Sequence, residues 1–319
     1  MPPDPKFAPH PLARNRHFQT IYSSARRFSA VALNAASREM TLTTGAGVRL
    51  RAFYAPQPES SRGTVLLLHG WLGDSRAFYM QALGEGLFRA GFSVFRLNLR
   101  DHGGTEALNP GTFRSDRLAE VFDAARQAAQ LDPARPLHVV GISLGGGFAL
   151  RLAWQHSQTP IPNFGRTVGI CPLIDPLTAT LALDRSPFYR RYFRRKWRQA
   201  LARKQAAFPN RYNFAPEISA PDCMTMTEIF IRNHAPYANA RDYFAHYTVT
   251  PVMMAALAGP VTIITADDDP IIPASDFTPL RDVSPHLTLS IQPFGGHVGF
   301  IDLFPFRYWL NEVLPELLR

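Results

Sequence analysis

Short, uninterrupted apolar runs constrain this chain most. "GTVLLLHG" (63–70), "LHVVGIS" (137–143), "TVGICPLI" (167–174) and "GPVTIITA" (259–266) are strand-length. A run such as "TVLLL" does not alternate polar with apolar, so both of its faces need covering, as in a parallel sheet between two helix layers. Helix-like segments at about 76–90, 115–130 and 144–156 fall between "GTVLLLHG", "FSVFRLNL", "LHVVGIS" and "TVGICPLI". Ser115 or Asp116 is the expected N-cap of the second. This βαβα alternation predicts an α/β fold, a mostly parallel sheet with helices on both faces. "REMTLTT" and "VRLRAFYA" flank "GAG" and predict a leading β-hairpin.

The alternation stops after Asp175. No apolar strand is legible until "GPVTIITA"; the intervening segments are helix-like and punctuated by proline. The chain therefore divides into an extended, Pro-rich arm (1–36), an α/β core (37–174 and 252–319) and a helical insertion (175–251). Long excursions from a compact domain are usually functional, so the insertion is expected to be a lid.

Within "VVGISLGGGFAL", Ser143 sits in G-x-S-x-G between a strand and a helix. Gly and Ser are common in βα turns for steric reasons alone, so the motif by itself does not decide. Its setting is that of a nucleophile elbow, where the serine is presented at the end of a strand beside a helix N-terminus. Such a serine needs a base and an acid, in the chain order Ser, Asp/Glu, His. "QPFGGHVGF" places His297 after the last strand. "ADDDP" offers Asp267, Asp268 and Asp269 after the strand before it. Asp269 is favoured because Pro270 holds it extended; Asp268 is the alternative. "LLLHGWLGDS" ends the first long strand, and the backbone N–H groups of Trp71 and Leu144 are the expected oxyanion donors. Gly70, Trp71 and Leu144 are then the expected substrate-contacting positions. Asp101 and His102 in "RDHGGT" also follow a strand, and are read as a structural loop rather than a second catalytic pair. His69, His102 and His297 lie in separate loops without paired-ligand spacing, so no metal is expected.

These stretches, with "NRHFQTIYSS", "NLRDHGG", "ADDDPIIP" and "GGHVGFID", resemble the YheT-like esterase branch of the α/β-hydrolase superfamily. That branch is related to eukaryotic alpha/beta-hydrolase-domain lipases and esterases. The resemblance spans nearly the whole chain and puts Ser143, Asp269 and His297 at the family's triad positions. It implies hydrolysis of a small-molecule carboxylic ester without a cofactor. The chain has Asn98-Leu99-Arg100-Asp101 where the branch usually shows N-F-R-G, and Gly147 where it usually has Asn. These departures bear on substrate class. An acyltransferase with the same triad, or a non-catalytic scaffold, are the alternatives.

The net charge of +9 is concentrated. Residues 185–216 hold ten Lys or Arg and no Asp or Glu, and the rest of the chain is close to neutral. Tyr189, Phe193, Trp197 and Leu201 recur every four residues, a helical stripe that predicts a lid helix with a basic outer face. That face could meet an anionic lipid or an acidic substrate. No nucleic-acid fold motif is present, so nucleic acid is not an expected partner. Abundant Phe and Trp suggest an apolar acyl pocket. The first residues lack the apolar core of a signal peptide, and Cys171 and Cys223 form no motif, so a cytoplasmic setting is expected.

Overall fold

In the computed structural model, which describes residues 6–25, 28–58 and 60–319, the apolar runs form the middle of an eight-stranded sheet. Its strands are β1 (Arg38–Thr43), β2 (Arg49–Ala55), β3 (Thr64–Leu68), β4 (Ser93–Leu97), β5 (Leu137–Ile142), β6 (Phe164–Ile170), β7 (Val261–Ala266) and β8 (Leu287–Gln292). The spatial order is β1-β2-β4-β3-β5-β6-β7-β8. β1–β2 and β2–β4 are antiparallel, the first being the expected hairpin; all remaining pairings are parallel. Every residue of β3, β4 and β5 is buried, as two-sided covering requires.

Helices α1 (Arg16–Ala25) and α2 (Val31–Ala36) precede the sheet. α3 (Phe78–Arg89), α4 (Leu118–Ala129) and α5 (Leu144–Gln158) alternate with its strands. Six helices separate β6 from β7: α6 (Pro176–Arg185), α7 (Pro187–Ala207), α8 (Ala215–Ser219), α9 (Cys223–His234), α10 (Ala240–Ala245) and α11 (Pro251–Ala255). α12 (Leu310–Leu317) ends the chain. α3 and α12 share one apolar core with Val65, Leu67, Val140 and Ile142, while α4 and α5 share another with Leu66, Leu68 and Val139. Alternate residues of the same strands thus feed opposite faces of the sheet. The helices between β6 and β7 build a cluster of their own around Leu201, Phe214, Met226, Phe230 and Phe244.

From β3 the chain steps to β4, then returns to β5 on the other side of β3. Loops leaving the carboxyl ends of β3 and β5 therefore diverge, and the crevice between them is where open α/β sheets bind ligands.

Three local expectations are corrected. The first 36 residues are not simply an extended arm, because 16–25 and 31–36 are helical. Asn15 starts α1, its Oδ1 accepting from the N–H groups of His17 and Phe18. Neither Ser115 nor Asp116 caps α4, which starts at Leu118 without a side-chain cap. Asp116 is instead held by Arg114 (3.0 Å) and the Tyr237 hydroxyl (2.7 Å), and the Ser115 N–H donates to the Tyr243 hydroxyl (2.8 Å). Helical structure also continues past residue 251, through α11. Among the described residues, no helix is long and apolar enough to cross a membrane.

Candidate active site

Ser143 joins β5 to α5 with φ 56° and ψ −119°, a left-handed conformation that a side chain disfavours. Hydrogen bonds on both sides hold it there. Its N–H donates to the Ile170 carbonyl (2.9 Å), and its carbonyl accepts from Gly147 (3.0 Å) and Leu173 (2.9 Å). The surrounding glycines make room. A Cβ on Gly141 would collide with the Gly145 carbonyl, and one on Gly145 with the Leu68 carbonyl. One on Gly147 would stand 2.6 Å from the Leu173 carbonyl. Strain held by its surroundings is a recurrent property of reactive positions.

The loop after β8 brings His297 to this serine. His297 Nε2 lies 2.9 Å from Ser143 Oγ, and Nδ1 lies 2.8 Å from Asp269 Oδ2. The other oxygen of Asp269 accepts from the N–H groups of Ile271 (2.8 Å) and Ile272 (3.0 Å), which fixes the carboxylate. Asp268 does not reach the imidazole; its Oδ1 accepts from the Gly296 N–H at 2.8 Å and supports the same loop from outside. Asp267 is exposed. The Cys171 thiol lies behind the pair, and Cys171, Asp269 and His297 place donor atoms within 4.8 Å of one another. Two members of that set already satisfy each other, and burial pushes the Cys171 thiol well up, which keeps it protonated.

Helix α1 clamps the histidine loop, a role the sequence did not disclose. The His297 N–H donates to Thr20 Oγ1 (2.9 Å). Gln19, fully buried, accepts from the Ile301 N–H (2.9 Å) and donates to the carbonyls of Ile301 (2.8 Å) and Ala13 (2.6 Å). Gly296 has φ 51°, and a Cβ there would strike the Arg16 carbonyl. The loop therefore lies flush against α1.

The loop after β3 passes the other side of Ser143; a Cβ on Gly70 would stand 3.2 Å from Ser143 Cβ. The N–H groups of Gly70, Leu72 and Gly73 are taken by the Tyr79 hydroxyl (3.0 Å), His102 Nε2 (3.2 Å) and the Gly70 carbonyl (3.0 Å). Those of Trp71 and Leu144 have no protein acceptor among the described residues. His69 and His102 brace this loop. His69 Nε2 accepts from the Leu99 N–H (3.1 Å), and His102 Nδ1 meets the Arg100 carbonyl (2.7 Å). Burial lowers them to about 4 and about 3, so both are neutral rings. Asp101 is likewise structural, bonded to Lys204 Nζ (2.8 Å) and the Phe113 N–H (2.8 Å).

α7 covers the site. Phe193 stacks on Trp71 at 5.7 Å, and Trp197 meets Trp71 edge-on at 5.1 Å. Beneath them an apolar pocket opens on Ser143, lined by residues including Leu144, Leu173, Leu183, Phe230 and Ile272. A second recess on the other side of Ser143 is bordered by Gly70, Tyr79, Tyr192, Lys196 and His297. The arrangement offers a hydroxyl hydrogen-bonded to an imidazole, a carboxylate behind that ring, two unengaged N–H donors and an apolar slot.

The model of the alpha/beta hydrolase fold family matches residues 63–302. The chain is similar to "Putative esterase slr0264" of Synechocystis sp., at 24% identity over 97% of this chain and 90% of that protein. It is similar to "Putative esterase YheT" of Escherichia coli at 24% identity, over 98% of this chain and 93% of that protein. Among solved structures it superposes on the Pyrococcus furiosus esterase Pf2001 with a TM-score of 0.58 at 17% identity, covering 92% of this chain and 96% of that one. The protein belongs to the α/β hydrolase fold family, and relatives matching nearly its whole length carry esterase names.

Proposed function

We propose that this protein is a serine hydrolase that cleaves carboxylic esters through an acyl-enzyme on Ser143. The observation that carries the reading is the continuous relay Ser143 Oγ, His297, Asp269, at 2.9 and 2.8 Å, at the mouth of an apolar pocket. Ser143 Oγ attacks the ester carbonyl while His297 Nε2 takes its proton. Asp269 keeps the proton of the imidazole on Nδ1 and stabilises the imidazolium. The N–H groups of Trp71 and Leu144 receive the carbonyl oxygen as it becomes an oxyanion. Collapse returns the proton to the leaving alcohol and leaves the acyl group on Ser143. A water activated by His297 then releases the acid and restores the serine. The acyl chain occupies the apolar pocket, and the leaving group the recess bordered by Lys196 and His297. The helices of 175–251 serve as the lid, since α7 roofs the pocket with Phe193 and Trp197.

A panel of p-nitrophenyl esters from short to long acyl chains tests this, with Ser143→Ala as control. Wild-type turnover should depend on chain length, and the variant should lose roughly 10⁴-fold or more in kcat. Wild-type rates in Ser143→Ala would overturn the assignment. No turnover of any ester by the wild type would favour a binding scaffold.

A further inference from the structure

Helix α7 has two unlike faces. The inner one carries Phe193 and Trp197 onto Trp71, over the pocket beside Ser143. The outer one carries Arg190, Arg191, Arg194, Arg195 and Arg198, which border one shallow groove. At about 100° per residue these five occupy an arc of roughly 140°, with Phe188 at its edge. Arg191, Arg195 and Arg198 are exposed, and Phe188 is 56% exposed. Among the described residues no carboxylate pairs with any of the five arginines. Arg190 and Arg194 donate to the backbone carbonyls of Asp184 and Ala220.

Like charges on neighbouring turns repel, and among the described residues no carboxylate forms an ion pair that offsets them. Their counter-charge has to come from outside. A cationic helix face edged by an exposed aromatic ring is the pattern that an anionic lipid surface attracts and partly buries. A nucleic acid would meet the same charge, but position favours lipid. The same helix roofs the apolar pocket, and its Tyr192 and Lys196 border the recess at Ser143. Matter held at the arginine face is therefore one helix diameter from the place where an ester would react.

We propose that the outer face of α7 docks this protein on an anionic lipid surface, and that its substrates are lipid esters drawn from that surface. The docking stands on the charge and exposure of α7; the substrate class rests on the hydrolase reading of Ser143.

Co-sedimentation of the whole protein with vesicles tests it, comparing phosphatidylcholine alone with a mixture one-third phosphatidylglycerol. Binding should occur to the mixed vesicles at low salt, be weak on the neutral ones, and be lost at high salt. Each cation near an anionic surface contributes about fivefold to partitioning, so Arg191→Gln/Arg195→Gln/Arg198→Gln should bind about 100-fold more weakly. The triple variant should keep wild-type hydrolysis of a soluble p-nitrophenyl ester and lose hydrolysis of an ester embedded in the mixed vesicles. Three results would overturn docking: undiminished vesicle binding by the variant, equal binding to neutral vesicles, or displacement from mixed vesicles by single-stranded RNA at equal phosphate concentration. Vesicle binding without hydrolysis of any ester would instead overturn the substrate class and leave docking in place.

Discussion

At the scale of single residues, the orientation of His297 is fixed at two points, the ring by Asp269 and the backbone by Thr20. Thr20→Val keeps the shape but leaves a buried N–H without its acceptor, a loss of about 1–3 kcal/mol. If that loss falls on the placement of the imidazole, kcat should drop by about 10- to 100-fold with KM within about twofold. Thr20→Ser should restore it. A fall in melting temperature with kcat unchanged would assign Thr20 to stability alone. That the serine and histidine meet was legible in the chain because each stands among glycines just past a strand-length run, and because the two fall in the order Ser, Asp, His along it. The choice between Asp268 and Asp269 depended on the restraint from Pro270, and both carboxylates turn out to hold the His297 loop, one by its ring and one through Gly296. Thr20 could not be read. Gln19 and Thr20 lie side by side on α1, and two adjacent polar residues look the same to periodicity whether they face water or a distant loop. Their partners are some 280 residues away in sequence.

At the scale of elements, α7 is tied to the core by Lys204, a lysine of the basic segment to which the sequence reading gave no role. Lys204 is 2% exposed and donates to Asp101 (2.8 Å) and to the carbonyls of Glu106 (3.0 Å), Asn109 (2.6 Å) and Gly111 (3.0 Å). Burial pushes the Lys204 ammonium down and the Asp101 carboxyl up even with the pair formed. Lys204→Met leaves Asp101 buried beside three unsatisfied carbonyls and should cost about 3–5 kcal/mol in urea unfolding. Adding Asp101→Asn should recover part of that loss; an effect of Lys204→Met below about 1 kcal/mol would show that α7 is not anchored here. The aromatic stripe of α7 was legible because it repeats locally. The socket of Lys204 was not, because it is assembled from a loop about a hundred residues earlier in the chain. The helices α1 and α2 were hidden by the prolines before them, which bias a composition-based reading toward an extended arm.

At the scale of the whole molecule, the sheet order opens a crevice between the carboxyl ends of β3 and β5, and the loops converging there are braced by the buried neutral rings of His69 and His102. Burial holds His69 at about 4 and His102 at about 3, and it holds His138, near the amino end of β5, at about 4, against 6.5 for a free ring. Below about pH 6.5 the unfolded chain binds protons that the fold refuses, so stability is complete above that pH and falls as the pH drops towards about 4. The urea midpoint should therefore decline between about pH 7 and about pH 4.5; a flat midpoint over that range would contradict neutral burial of these rings. The central claim is that Ser143 carries an acyl group during turnover. The direct measurement is mass spectrometry of the protein quenched with acid during steady-state hydrolysis of a p-nitrophenyl ester. The account predicts one added acyl mass, on the peptide containing Ser143, and none in Ser143→Ala. An adduct on another residue, or turnover that persists in Ser143→Ala with an unmodified protein, would contradict it.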